Sequence, residues 1–203
     1  MALIKICGIR RMEDVEYLNM LKPDYAGFVF ADSKRKVDIK TAHDLIENLD
    51  RDIKKVGVFV NEEISEVRYI ANFLKLDVLQ FHGDETQEYI NNFKDYLVWK
   101  AIRISEKKDI SKIESYHVDG ILLDSKIEGF YGGSGKSFDW NLIKDTNMNC
   151  TFILAGGIDT NNVLMAINML KPDIVDVSSG VEIDGFKNYD LMKEIIYKVR
   201  SVI

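Results

Sequence analysis

Residues 118–140, VDGILLDSKIEGFYGGSGKSFDW, bring a carboxylate and a run of glycines close together. Three apolar residues, Ile121-Leu122-Leu123, end in Asp124. Gly129, Gly132, Gly133 and Gly135 follow, and Ser137-Phe138-Asp139-Trp140 then reads as the opening of a helix. A buried strand that ends in an acid carries a proton-transfer group to the rim of a sheet. Glycines just ahead of a helix let backbone N–H groups converge on an anion. An acid beside an anion cradle points to an enzyme acting on a phosphorylated small molecule.

The elements that must position these groups are legible from periodicity. Apolar, β-rich runs recur at 3–7, 25–30, 55–60, 77–81, 96–102, 119–123, 151–155 and 173–177. Between them lie apolar residues at helical spacing: Met12, Val15, Leu18 and Leu21; Ile64, Val67, Ile70 and Leu74; Val163, Ile167 and Leu170; Leu191, Ile195 and Val199. Asn61 ahead of Glu62-Glu63, and Asp159-Thr160 ahead of Asn161, supply helix N-cap chemistry. Short, almost wholly apolar strands alternating with helices indicate a parallel sheet covered on its outside. Eight such units predict an α/β fold, a (β/α)8 (TIM) barrel with short loops, formed by residues 1–203 as a single domain. Both prolines lie in the hexapeptide Asn-Met-Leu-Lys-Pro-Asp, at 19–24 and again at 168–173. The echo is read as repeated use of a good helix-to-strand turn, since proline disfavours helical geometry just upstream.

In such a barrel the C-terminal strand ends carry the chemistry. Strand alternation directs Ile4 and Ile6 toward the helices and Lys5 and Cys7 toward the interior. Gln80 and His82 share one parity, and Asp176 and Ser178 another. Polar groups inside a barrel are costly unless paired, so these residues are read as parts of a site. Cys7, followed by Gly8, is a candidate proton-transfer group, and the Lys5 cation is expected to lower its thiol pKa. His82 is read as a hydrogen-bonded wall residue; His82 and Asp176 are both substrate-binding candidates. Arg35, inside Ser33-Lys34-Arg35-Lys36, follows the second strand and can pair bidentately with a carboxylate. Three turns after strands six, seven and eight suit phosphate, namely Gly133-Ser134-Gly135, Gly156-Gly157 and Ser178-Ser179-Gly180. Lys136 offers a further cation.

Totals exclude other classes. The 203 residues carry a net charge of −6, with 46% apolar and 30% charged residues. A phosphate backbone needs a dense cationic surface, and Lys34-Arg35-Lys36 is the strongest basic cluster, so no nucleic-acid partner is expected. The apolar runs are too short to cross a bilayer, and Met1-Ala2-Leu3 leads into a strand without signal-peptide order. Cys7 and Cys150 form neither a disulfide framework nor a metal-ligand spacing. A cytoplasmic protein, a monomer in preference to a homodimer, is the resulting expectation.

Taken in order, several segments form a specific set: Lys5-Ile6-Cys7-Gly8-Ile9, Gly27-Phe28-Val29-Phe30, Val56 to Asn61, Gln80-Phe81-His82-Gly83, Leu122-Leu123-Asp124, Tyr131 to Trp140, Ala155-Gly156-Gly157-Ile158 and Asp176 to Glu182. This set resembles the phosphoribosylanthranilate isomerase family of tryptophan biosynthesis over essentially the whole chain. The resemblance implies that Cys7 is the general base, Asp124 the general acid, Arg35 the holder of an anthranilate carboxylate and the three turns the phosphate site. It implies an Amadori rearrangement of N-(5-phosphoribosyl)anthranilate, with no metal and no organic cofactor. In the second loop the family usually has a proline-containing Ser-Pro-Arg-like segment, whereas this chain reads Ala31-Asp32-Ser33-Lys34-Arg35. The related histidine-pathway sugar isomerase places an aspartate where Cys7 stands. A purely binding barrel would need neither Cys7 nor Asp124.

Overall fold

Eight runs of mainly apolar and β-branched residues form eight strands: β1 (Leu3–Cys7), β2 (Tyr25–Val29), β3 (Lys54–Phe59), β4 (Val78–Phe81), β5 (Leu97–Ile104), β6 (Gly120–Ser125), β7 (Thr151–Leu154) and β8 (Ile174–Val177). The computed structural model describes residues 2–125, 139–144, 146 and 148–202. The strands pair in parallel in chain order, and β8 returns to β1 with Asp176 opposite Lys5, closing a barrel. No described helix is long and apolar enough to cross a membrane.

Pleating sorts the side chains as expected. Ile4 and Ile6 join the apolar shell between strands and helices. The interior is filled by Tyr25, Val56, Val78, Trp99, Ala101, Leu122, Ile153, Ala155 and Ile174. Tyr25 and Trp99 meet edge to face at 5.0 Å, a favoured aromatic geometry. These residues make the lower barrel a packed floor, and among the described residues the polar interior lies above it.

The four expected helical patterns form α1 (Met12–Leu21), α3 (Ile64–Leu74), α5 (Val163–Leu170) and α6 (Tyr189–Ser201), and two further helices are α2 (Ile39–Glu47) and the single-turn α4 (Gln87–Ile90). The α3 face Val67, Ile70, Ala71 and Leu74 is buried, as is Met192, Ile195, Ile196 and Val199 of α6. Two units depart from α-helix. Lys107–Ser115, between β5 and β6, is a 3-10 helix. Its isoleucines, Ile110 and Ile113, are three apart, and three residues per turn keeps them on one face. The segment opening at Ser137 forms only a 3-10 turn, Trp140–Leu142, among the described residues, capped by Asp139 Oδ1 accepting from Asn141 N at 3.0 Å. Asn61 is not the cap of α3 either. It adopts φ 51° and its Oδ1 accepts from Asp84 N at 2.7 Å, tying the β3 and β4 loops together. Nor is Asp159 the cap of α5, which is Asn162 with no side-chain cap bond; Asp159 accepts from the backbone N–H groups of Asn161 and Asn162 in the turn ahead of the helix.

The hexapeptide echo proves to be half of a wider pattern. Lys22, Lys75 and Lys171 all take left-handed backbone at helix ends. The aspartate heading each even-numbered strand accepts a hydrogen bond from the preceding odd-numbered strand. Asp24 accepts from Ile4 N, Asp77 from Lys55 N, Asp119 from Val98 N and Asp173 from Phe152 N, all at 2.7–2.8 Å. Each carboxylate satisfies an amide that the strand ladder leaves open at the base of the barrel. Asp24→Ala leaves the Ile4 amide unpaired and should lower unfolding free energy by about 1–3 kcal/mol with kcat unchanged. Denaturant titration beside an activity assay checks this, and an unchanged midpoint would refute the anchoring role.

Candidate active site

At the C-terminal strand ends the barrel opens into a cavity of about 380 Å³. Of the residues nominated from sequence, Cys7, Arg35, His82, Asp124, Gly156, Gly157, Asp176, Ser178 and Ser179 line it. Gly180 lies outside this lining; it packs against the backbone of Ile158 and Asp159, where a β-bridge joins the β7 and β8 loops. Gly133, Ser134 and Gly135, with Lys136, lie outside the described residues. Among the described residues no group of His, Cys, Asp and Glu has the geometry to hold a metal ion.

One side of the mouth is built by β1 and β8. Lys5, fully buried, donates to Asp176 Oδ2 at 2.8 Å. Asp176 Oδ1 is buried and finds no partner among the described residues. Cys7 sits one pleat above Lys5, and Ser178 Oγ holds the Cys7 carbonyl at 3.0 Å. A β-carbon at Gly27, on the neighbouring strand, would fall 2.8 Å from Cys7 Sγ, so only glycine leaves room for the sulfur. Burial pushes the Cys7 thiol above its ordinary value. Lys5 and Lys187 pull it down, Asp176 pushes it up, and burial wins. The sequence expectation of a thiol lowered by Lys5 is therefore corrected: the cation is adjacent, but desolvation of the thiolate outweighs it. Lys5 itself is raised, because Asp176 and Cys7 together overcome its own desolvation.

The opposite side comes from β4 and β6. Asp124 is 2% exposed. Its Oδ1 accepts from Ser125 N at 2.7 Å, and its Oδ2 lies 3.1 Å from His82 Nε2. His82 Nδ1 is 3.1 Å from Gln80 Nε2, so Gln80, His82 and Asp124 form one buried chain. The His82 loop is anchored from behind by Glu85, which accepts from Gly83 N, Asn61 N and Lys100 Nζ. Between the two sides, Gly156 has φ +83° and lines the cavity; a β-carbon there would lie 2.7 Å from Asp124 Oδ1.

Arg35 is the largest surprise. Lys34 and Lys36 are exposed as a solvated run would be, yet Arg35 is buried. Its Nε and Nη2 donate to the two carboxylate oxygens of Glu182, each at 2.7 Å. Lys187, in the hairpin of β9 (Glu182–Ile183) and β10 (Phe186–Lys187), donates to Glu182 Oε1 at 2.8 Å and to the Ser178 carbonyl at 3.0 Å. Sequence reasoning missed both partners. Glu182 follows the Ser-Ser-Gly turn by two residues, a detectable signal, whereas Lys187 sits in a polar loop with nothing to mark its burial.

A family-wide sequence profile described as N-(5'phosphoribosyl)anthranilate (PRA) isomerase matches residues 4–198. The chain belongs to the phosphoribosylanthranilate isomerase family. It is 54% identical over 202 residues to the N-(5'-phosphoribosyl)anthranilate isomerase of Thermoanaerobacter sp. strain X514, covering all of both chains. The crystal structure of the Thermotoga maritima phosphoribosyl anthranilate isomerase superposes with a TM-score of 0.90 at 34% identity, again over all of both chains. A further phosphoribosyl anthranilate isomerase structure, solved in complex with reduced 1-(o-carboxyphenylamino)-1-deoxyribulose 5-phosphate, matches with a TM-score of 0.86 at 33% identity over 100% of each chain. The protein is thus an isomerase of tryptophan biosynthesis that carries out the Amadori rearrangement of N-(5-phosphoribosyl)anthranilate.

For phosphoribosylanthranilate isomerization the position of Asp124 is guarded by Gly156. Gly156→Ala combines a strained φ with a clash on the carboxylate. A displacement near 1 Å typically costs about 10² in rate, so kcat should fall by roughly that factor. Steady-state kinetics at saturating substrate checks it; an unchanged kcat would show that the Asp124 geometry is not critical.

Proposed function

We propose that Cys7 is the general base and Asp124 the general acid of the rearrangement. The observation that carries the proposal is that these two groups line one cavity from β1 and β6, with an apolar floor below them. The acid gives its proton to the ring oxygen of the ribofuranosylamine as the ring opens, leaving a protonated imine between carbon 1 and the anthranilate nitrogen. The base removes the proton from carbon 2, which the iminium acidifies. The resulting enaminol takes a proton at carbon 1 and loses one from the carbon 2 hydroxyl, giving 1-(2-carboxyphenylamino)-1-deoxyribulose 5-phosphate. Substrate and product are isomers, and the substrate nitrogen is the electron sink. Each positioned proton transfer contributes about 10²–10⁴ in rate.

The neighbours suit these roles. The iminium forms beside Cys7 and favours the thiolate that burial alone disfavours. The Gln80–His82–Asp124 chain can hold the acid in either protonation state. With Gln80 Nε2 donating to Nδ1, His82 Nε2–H donates to the carboxylate. With the Gln80 amide turned over, His82 Nδ1–H donates to it and Nε2 accepts the proton of a neutral Asp124. Asp176 keeps a buried carboxylate oxygen for a ribose hydroxyl. Backbone amides of Gly156, Gly157, Ser178 and Ser179, which line the cavity, hold the phosphate in the loops after β7 and β8. Arg35 takes the anthranilate carboxylate. The complex of a relative with a reduced carboxyphenylamino-deoxyribulose phosphate supports this reading of the ligand.

A single domain spanning 1–203, working in the cytoplasm as a monomer, completes the proposal. A reducing compartment protects a catalytic thiol from oxidation. Large apolar residues are exposed on four helices rather than on one: Met12 and Met20 on α1, Tyr69 and Phe73 on α3, Leu164 and Met165 on α5, and Tyr197 on α6.

Cys7→Ala and Asp124→Asn should each lower kcat by at least about 10² with KM nearly unchanged. Loss of substrate fluorescence follows the rate, and wild-type turnover in either variant would refute that residue's role. The pH profile tests the pair jointly. The working state holds one proton, on the acid and not on the thiol, so kcat/KM is level wherever the pair together holds one proton. It falls on the alkaline side only when the thiol loses its proton, and burial moves that limb upward. A decline starting below about pH 8 would contradict the pairing.

A further inference from the structure

The Arg35 guanidinium has five N–H donors on two usable edges. Glu182 occupies the edge formed by Nε and Nη2, at 2.7 Å for both bonds. The edge formed by Nη1 and the remaining Nη2 hydrogen is left for a second carboxylate, and Arg35 lines the cavity. An arginine already paired with a glutamate carries little net attraction for another anion. Here, however, Glu182 is shared: Lys187, buried to 4% exposure, donates to its Oε1 at 2.8 Å. Two cations facing one carboxylate leave this three-residue cluster with one positive charge in excess.

The β2 loop that carries Arg35 lacks the proline usual in the family, and cross-loop bonds restrain it. Arg10 donates from Nη1 to the Lys34 carbonyl at 2.8 Å and from Nη2 to the Gly185 carbonyl at 2.6 Å. Its guanidinium carbon also lies 4.7 Å from the centre of the Phe186 ring. The hairpin that holds Glu182 and Lys187 is therefore fastened through Arg10 to Lys34, the residue just before Arg35.

We infer that Glu182 and Lys187 are positioning residues for recognition of the aryl carboxylate: Glu182 orients Arg35, and Lys187 cancels the glutamate's charge so that Arg35 meets the substrate as a full cation. This rests on the reading that Arg35 binds the anthranilate carboxylate. Glu182 is not a competitor that the substrate must displace, because the two carboxylates take different edges. The pair selects N-aryl phosphoribosylamines that bear an ortho carboxylate over those that lack it.

The test compares kcat and KM for N-(5-phosphoribosyl)anthranilate and for N-(5-phosphoribosyl)aniline, which lacks the carboxylate. Wild type, Arg35→Gln, Glu182→Gln and Lys187→Met are measured, with Glu182→Asp as a milder variant that keeps the charge but shortens the reach. Glu182→Gln, Glu182→Asp and Lys187→Met should each raise KM for the anthranilate substrate about tenfold or more. The kcat/KM preference for anthranilate over aniline should shrink by the same factor. In the Glu182 variants kcat/KM for the aniline substrate stays within about twofold of wild type, whereas Lys187→Met also removes a cation near Cys7 and lowers turnover of both substrates, so for it the preference is the readout. Lys187→Arg should restore most of the preference. Equal losses on both substrates would assign the pair a merely structural role and overturn the inference. If Arg35→Gln abolishes the preference while the Glu182 and Lys187 variants keep it, the inference alone fails. If Arg35→Gln keeps the preference, the Arg35 reading fails and the inference goes with it.

Discussion

The ammonium of Lys5 and the carboxylate of Asp176 meet at 2.8 Å across the seam where β8 pairs with β1. Two charges inside a barrel are tolerated only together. Desolvating them costs about as much as their attraction returns, and an apolar pair could serve stability equally well, whereas losing one partner leaves a bare buried charge worth about 3–5 kcal/mol. The pair is therefore better understood through what stands above it. Cys7 is the next inward residue on Lys5's strand, and Asp176, whose Oδ1 has no partner among the described residues, lines the same cavity. The closure of the barrel and the environment of the proposed base are one arrangement.

Around that seam the polar groups divide by side. Cations gather near Cys7, from Lys5 below and from Arg35 and Lys187 above, each tied to a carboxylate. Across the mouth, Gln80, His82 and Asp124 form a neutral-to-acidic chain. The reaction requires both a sulfur able to become an anion and an acid able to keep a proton. Separate walls with separate partners let the two groups be tuned independently. The packed floor of Tyr25, Trp99 and their neighbours keeps water from reaching the site from beneath.

Stability and chemistry are separated along the barrel axis. At the base, four aspartates close the strand amides by the same local hydrogen bond. At the rim, loops are joined to one another by side chains from distant segments: Asn61 to Asp84, Glu85 to Lys100, Arg35 to Glu182 and Arg10 to the β9–β10 hairpin. The base is built from contacts between successive elements, and the rim largely from contacts between loops brought together by closure.

That division also explains what could be read in advance. Strand positions, the inward parity of Lys5, Cys7, Gln80, His82, Asp176 and Ser178, and the acid at the end of β6 follow from local rules, because pleating alternates side chains wherever a strand forms. The aspartate turns were half visible, as a hexapeptide used twice. The 3-10 character of the segment after β5 has no local signature, since two isoleucines three apart satisfy either helical pitch. The direction of the Cys7 shift and the pairing of Arg35 were beyond local reading. Desolvation depends on everything packed around a thiol, and whether an arginine in a basic run is solvated or buried depends on a glutamate 147 residues away. Sequence alone determined which groups point inward; only the closed barrel decided which charges they meet.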